Sequence, residues 1–199
     1  SGPFDIVANF AAHKHVRSEK DIYSVQSMME NNVLNAQKLL NLLSLNKPKH
    51  FFCVSSDKAT NPVNIMGASK KLMEDLIFSY SNDYKITTAR FANVAFSNGS
   101  LLDGYLNRIF KNQPISCPND VKRFFVSPTE SGEICLLASI LGKTGEVFFP
   151  KIDKKEMISF KEITFDFFDA IGREIHICSS EEDAKYSSIN LKNKDPYPV

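Results

Sequence analysis

Apolar residues along the chain follow two alternating rhythms. Short runs at Phe4 to Phe10, His50 to Val54 and Lys85 to Phe91 have the length and the β-branched or aromatic content of buried strands. Between them lie longer segments in which apolar residues recur every three or four positions. From Ser24 to Leu45 these are Val25, Met28, Met29, Val33, Ala36, Leu39, Leu40 and Leu43. Asp21 or Ser24 is placed to cap this helix, Asn31 and Asn32 interrupt its apolar face, and Pro48 follows its end. From Met66 to Asp83 the inward set is Leu72, Met73, Leu76, Ile77 and Tyr80. The alternation predicts a parallel sheet covered by helices, with these three strands adjacent and their C-terminal ends facing ligand.

Further along, the pattern changes character. Leu102 to Phe110, Pro128 to Leu141 and Ile158 to Ile171 are expected helices. The second of these is started by Ser127-Pro128 and carries Glu130 near its N-terminus. Short strands are expected at Gln113-Pro114-Ile115, Val121 to Val126 and Gly145 to Phe149. The polar segment from Ser179 to Val199 is expected to be loop-like. Two domains follow, 1–98 and 99–199, the second a small α/β lobe.

Composition narrows the classes. The 199 residues, 43% hydrophobic and 24% charged, suit a globular protein with a real core. A net charge of +1 argues against nucleic acid or a membrane surface as partner. The longest apolar stretch, near Ile134 to Leu141, is far short of the ~20 residues that span a bilayer. Cys53, Cys117, Cys135 and Cys178 lack metal-ligand spacing and are expected to be reduced thiols of a cytoplasmic protein. His13 and His15 likewise lack the further ligands of a metal site.

The densest chemistry lies between Ser55 and Lys71, in SSDKATNPVNIMGASKK. This stretch joins the strand at His50 to Val54 to the following helix. Ligands of parallel α/β sheets bind where strands end in this way. Ser56, Asp57 and Lys58 leave the strand consecutively, while Met66 and Lys70 share one helix face. A hydroxyl, a carboxyl and two amines are thereby directed toward one crevice.

From Ser55 to Lys70 every fixed position of S-[ST]-D-K-A-x-x-P-x-N-x-[YM]-G-A-[ST]-K is present. The stretch resembles the active-site segment of extended short-chain dehydrogenase/reductases. More closely it resembles the nucleotide-sugar 4,6-dehydratases of polysaccharide biosynthesis, the type acting on UDP-N-acetylglucosamine. The resemblance implies a Rossmann-like sheet, bound NAD (or NADP), a nucleotide-sugar substrate and a homo-oligomer in the complete protein. It implies Asp57 as the acid that releases water, Lys58 as the base at sugar carbon 5, and Ser56 as a partner of the carbon 4 oxygen. Burial is expected to keep Asp57 protonated, and desolvation beside Lys70 to lower the pKa of Lys58. Lys70 would hold the nicotinamide ribose. Met66 stands where ordinary short-chain dehydrogenases place a Tyr; the base at carbon 4 is then Asp57, or Lys58 through water.

Asn9 to Val16 is similar to the family's N-x-A-A-x-K-H-V segment. It implies cofactor contacts from Asn9, Ala11 and Ala12, together with Asn32 and Ser55, and substrate contacts from Lys14 and His15. Arg90 and Asn93 resemble R-x-x-N-V, which puts Asn93 on the diphosphate, and Arg123 resembles a phosphate-binding lobe arginine. Arg17, where many relatives have Pro, and Asn98, where they have Arg, depart from the pattern. No G-x-G-x-x-G precedes Phe4. The resemblance therefore implies that the first strands, the phosphate loop and a C-terminal portion lie outside this chain. On its own it is expected to bind NAD negligibly and to be catalytically silent. The competing readings are a nucleotide-sugar 4-epimerase and a non-catalytic nucleotide-sugar-binding fragment.

Overall fold

The structure is a computed structural model and describes residues 4–14, 19, 21–115, 117, 121–151 and 153–175. His15, Arg17, Cys178 and the expected loop from Ser179 onward lie outside the described residues. In chain order the elements begin with β1 (Ile6–Asn9), α1 (Ile22–Met29), a π-helical turn (Glu30–Leu34), α2 (Asn35–Leu43) and β2 (His50–Val54). A 3₁₀ turn (Asp57–Ala59), α3 (Ile65–Ser79), β3 (Lys85–Ala89), β4 (Asn93–Val94) and α4 (Leu101–Phe110) follow. The chain continues through β5 (Lys122–Arg123), β6 (Phe125–Val126), α5 (Pro128–Ile140), β7 (Val147–Phe148), β8 (Ile158–Ser159) and α6 (Phe160–Ala170).

Two compact units form, one from residues 1–92 and 126–151, the other from 93–125 and 152 onward. A single cut after residue 98 does not describe them, because the chain leaves the first unit and returns to it with α5 and β7. The first unit holds a parallel sheet in the order β1-β2-β3-β7. Val7 lies beside Phe51 and Phe51 beside Ile86, while Thr88 lies beside Val147. The three strands expected to be adjacent and parallel are so.

Strand periodicity sorts β2 between two helical layers. Phe51 and Cys53 pack with Ala36, Leu40, Met73 and Ile77 from α2 and α3. Full burial of a side chain such as Phe51 stabilises by about 1.5–3 kcal/mol. His50 faces the opposite layer, where its Nε2 meets Thr87 Oγ1 at 2.8 Å and that hydroxyl donates to Ala138 O of α5 at 2.9 Å. The Thr87 proton is thereby committed, so His50 is the donor to Thr87. The expected start of α5 is present as a full capping box. Ser127 Oγ accepts from Glu130 N at 3.1 Å, and Glu130 Oε2 accepts from Ser127 N at 2.7 Å.

The long helix expected from Ser24 begins at Ile22. Asp21 Oδ2 caps it by accepting from Ser24 N at 3.0 Å. Its middle departs from α geometry at the π turn that contains Asn31 and Asn32, the residues that interrupt the apolar pattern.

In the second unit, Leu102 and Tyr105 of α4 pack with Phe167 of α6, and Tyr105 shares a 2.7 Å hydrogen bond with Thr164. β5 pairs antiparallel with β8. The strand expected at Gln113-Pro114-Ile115 is absent. Pro114 has no N–H to give a ladder, and its carbonyl accepts from Arg108 Nη1 at 2.7 Å instead.

A buried ion pair fastens α3 to the end of β3. Arg90 Nε donates to Glu74 Oε1 at 2.9 Å and Nη2 to Oε2 at 2.5 Å, with Glu74 almost wholly buried. Removing the guanidinium alone strands a buried carboxylate, which costs about 3–5 kcal/mol. Arg90→Met is therefore expected to lower stability in urea unfolding by that amount, and the double variant Glu74→Leu/Arg90→Met by clearly less. Equal losses in both would remove the buried carboxylate as the cause.

Candidate active site

β2 ends at Val54, and the next four residues turn sharply. Ser56 caps the 3₁₀ turn, its Oγ accepting from Lys58 N at 3.3 Å while donating to Asp57 Oδ1 at 3.0 Å. Lys58 Nζ donates to the same Oδ1 at 3.1 Å. Ser56, Asp57 and Lys58 thus form one hydrogen-bonded cluster off the carboxyl end of a parallel strand. The burial expected for Asp57 is not found. Its side chain is 49% exposed and that of Lys58 36%, because the turn projects both beyond the sheet edge.

Burial falls instead on α3. Met66 and Lys70 are both buried, as is Ser55 just after β2. Lys70 Nζ donates to Val54 O at 2.9 Å. Desolvation pulls its pKa below the ordinary 10.5, against the opposing pull of Cys53 and Glu74. The desolvation expected to act on Lys58 therefore acts on Lys70. Ser55 Oγ is buried with no hydrogen-bond partner among the described residues.

The start of α3 is pressed against the turn below it. A β-carbon added at Gly67 would stand 2.6 Å from Lys58 O, closer than any side chain tolerates, so only glycine permits this approach. Asn64 caps the helix by accepting from Gly67 N at 2.8 Å. Glu19 Oε1 accepts from Met66 N at 2.8 Å, a carboxylate at the positive end of the helix dipole. Sequence reasoning missed Glu19, since it lies 47 positions from its partner and belongs to no local pattern.

Asn32 is fully buried in the π turn. Its Oδ1 accepts from His13 N at 2.7 Å, and its Nδ2 donates to His13 O at 2.9 Å and to Ser69 Oγ at 2.9 Å. It joins the loop after β1 to α3. Asn9, at the end of β1, uses its side chain within the protein, accepting from Ala11 N at 3.0 Å and reaching Cys53 Sγ at 3.5 Å. Ala12 is half-buried, whereas Ala11 and Lys14 are exposed.

The remaining site candidates belong to the second unit. Asn93 donates through Nδ2 to Phe124 O at 3.3 Å. Arg123 is exposed, with Nη1 on Lys122 O at 2.8 Å.

A parallel sheet with helices on both faces and its polar groups gathered at the carboxyl edge defines a Rossmann-like α/β protein. The chain belongs to the polysaccharide biosynthesis protein family, which matches residues 2–186. It is 33% identical to the capsular polysaccharide biosynthesis protein CapD of Staphylococcus aureus, over 71% of this chain and 24% of that protein. It is 28% identical to a UDP-glucose 4-epimerase of Rickettsia canadensis, over 93% of this chain and 55% of that one. A Methanocaldococcus jannaschii protein named as an uncharacterized membrane protein is 34% identical over 81% of this chain and 50% of its own length. The chain thus spans about half the length, or less, of the curated relatives it matches. Among the described residues no helix is long and apolar enough to cross a membrane. The fold is shared with DesIV, a dTDP-glucose 4,6-dehydratase of Streptomyces venezuelae with NAD and TYD bound. The TM-score is 0.72 and the identity 19%, over 85% of this chain and 58% of that one.

The buried ammonium yields a pH prediction. Unfolded, Lys70 keeps its proton up to about pH 10.5; folded, it releases the proton at lower pH. Between those two values the unfolded state binds more protons, so stability rises with pH. Lys70→Met should remove that rise and match or exceed the parent's stability at pH 7. Thermal unfolding of both proteins from pH 7 to 10.5 measures this, and a constant difference across the range would contradict it.

Proposed function

We propose that this chain supplies the catalytic segment of a nucleotide-sugar 4,6-dehydratase, which converts a UDP- or GDP-N-acetylhexosamine to its 4-keto-6-deoxy form for surface glycan synthesis. The observation that carries the reading is the Ser56–Asp57–Lys58 cluster, a carboxyl and an amine in contact at the end of a parallel strand. Family membership and the match from Ser55 to Lys70 support it.

The residues fit a dinucleotide such as NAD. Ser55 has an unused buried hydroxyl. The Lys70 ammonium has three donors and uses one on Val54 O. These two, with Asn9, Ala11 and Ala12, are the groups that would hold its nicotinamide ribose side, while Asn32 fixes the loop that carries them. Bound NAD would supply the acceptor, and later the donor, of the hydride that leaves sugar carbon 4 and returns at carbon 6.

The chain's own residues handle the protons. At rest Asp57 and Lys58 are an ion pair 3.1 Å apart. Covering the pair with substrate excludes water, which disfavours the charged forms. One proton passing from Lys58 to Asp57 leaves an amine and a carboxylic acid with the total charge unchanged. The amine takes the carbon 5 proton, and the acid protonates the departing carbon 6 hydroxyl, which leaves as water. This pairing of base and acid needs no buried Asp57. Ser56 donates to the carbon 4 oxygen. The buried thioether of Met66 cannot accept a proton, so the proton of the carbon 4 hydroxyl goes first, either to the Asp57 carboxylate before the internal transfer or to the Lys58 amine through water after it. One proton then leaves Lys58 to solvent, so that amine and acid are both free for carbons 5 and 6. The Lys58 ammonium returns a proton to carbon 5 when the hydride reaches carbon 6, and solvent restores its own. In the second unit Asn93 and Arg123 are proposed contacts of the diphosphate, Arg123 by its bidentate fork.

The name of the Rickettsia relative favours a second reading, a 4-epimerase, which inverts carbon 4 and keeps the carbon 6 oxygen. Incubating the complete protein with UDP-N-acetylglucosamine in deuterated water separates the two. Dehydration gives a product lighter by one water with deuterium at carbon 5; epimerisation gives neither change. Lys58→Ala is expected to abolish product and carbon 5 exchange while nucleotide-sugar still binds, a loss confined to turnover. Carbon 5 exchange retained in that variant would remove Lys58 as the base.

A further inference from the structure

Phe96 lies in the second unit, on the loop from β4 to α4. Its φ is 56°, in the left-handed region where a β-carbon crowds the backbone and a bulky aromatic is an outlier. The loop holds it there. Ser97 N and Oγ both donate to Val94 O, at 3.3 and 2.8 Å, and Ser100 N donates to Ser97 O at 2.8 Å. Gly99 N donates to Asp103 Oδ2 at 2.9 Å. Behind the Phe96 ring stands Phe167, with centroids 6.3 Å apart and planes inclined at 43°. Phe167 is itself buried against Tyr105 and Phe168. Phe96 nevertheless remains 50% exposed.

A strained backbone thus presents an aromatic ring to solvent, backed by a fixed aromatic cluster. Packing does not account for it. Glycine adopts this φ without strain, and a half-exposed ring recovers only part of the burial a core phenylalanine gains. Strain of this kind persists where surrounding structure enforces it, and it gathers at ligand clamps.

We propose that Phe96 is the stacking platform for the base of the nucleotide-sugar, an inference that rests on the function proposed above. The flat π-face of a nucleobase is the part of such a substrate that an exposed phenyl ring recognises. Stacking of this type tolerates any base, so Phe96 would give affinity without choosing between uridine and guanosine.

The test compares Phe96→Gly and Phe96→Tyr with the parent in the complete protein. Calorimetry uses UDP, GDP and UDP-N-acetylglucosamine as probes, alongside thermal unfolding. Phe96→Gly is expected to keep or raise the melting temperature, because the strain is relieved, and to weaken all three probes by about tenfold or more. Phe96→Tyr should bind as the parent does. Unchanged UDP affinity in Phe96→Gly overturns the proposal. Weaker UDP-N-acetylglucosamine with unchanged UDP places the ring on the sugar and also overturns it. A fall in melting temperature accompanying the loss of affinity makes Phe96 a packing residue and overturns it too. A parent that binds none of the probes and forms no product sinks the nucleotide-sugar reading itself. A parent that forms product while Phe96→Gly binds normally sinks only the stacking assignment.

Discussion

One buried amide organises the first unit. Asn32 accepts from and donates to the backbone of His13, and its remaining donor goes to Ser69. Three segments distant in sequence are joined by this side chain: the loop leaving β1, the helix pair α1–α2, and α3. Each hydrogen bond contributes only about 0.5–1.5 kcal/mol net, but an unmade one leaves a buried polar group at full desolvation cost. The arrangement is therefore close to all-or-none. It fixes the height of the loop above the sheet and the rotation of α3 about its axis, hence where Met66 and Lys70 point.

Charge is divided between two levels of α3 and the turn beneath it. Lys70 and Glu74, one helical turn apart, are both buried. Glu74 is neutralised by Arg90, while Lys70 has a carbonyl and only longer-range attraction. Asp57 and Lys58 neutralise each other at the surface. A buried ammonium with no carboxylate in contact among the described residues is an expensive feature for stability alone, and such groups concentrate where chemistry is done. The exposed pair is inexpensive at rest and changes character only when something covers it. The environment of the two lysines is thus opposite, although they lie within one short motif.

The three adjacent parallel strands and the helices over them were legible because strand and helix periods differ and the apolar runs keep to one or the other. A cap at Asp21 or Ser24 and the start of α5 at Ser127-Pro128 were legible from equally local signals. What stayed hidden depends on partners far along the chain. Glu19 meets Met66 across 47 positions. β7 joins β3 only because the chain returns to the first unit after a long excursion, which a boundary drawn from local composition cannot show. The exposure of Asp57 was hidden as well. Sequence places it at a strand end, but how far the following turn projects is set by Gly67 resting on Lys58 O. Pro114 is the converse case, since the missing N–H that rules out a strand is visible in the residue itself.

The π turn at Glu30–Leu34 carries one residue more than α geometry would need. A single-residue deletion there would leave a continuous, regular helix in which α1 and α2 keep their phase, because the wide turn already absorbs its extra residue. What such a deletion removes is the wide turn itself, and with it the placement of Asn32 between His13 and Ser69. Within α1 or α2 there is no wide turn to absorb the change, and a deletion would turn everything on one side by about 100° relative to the other. Changes of length along this helix should therefore gather at the π turn over evolutionary time, each one exchanging the Asn32 contacts for regular α geometry.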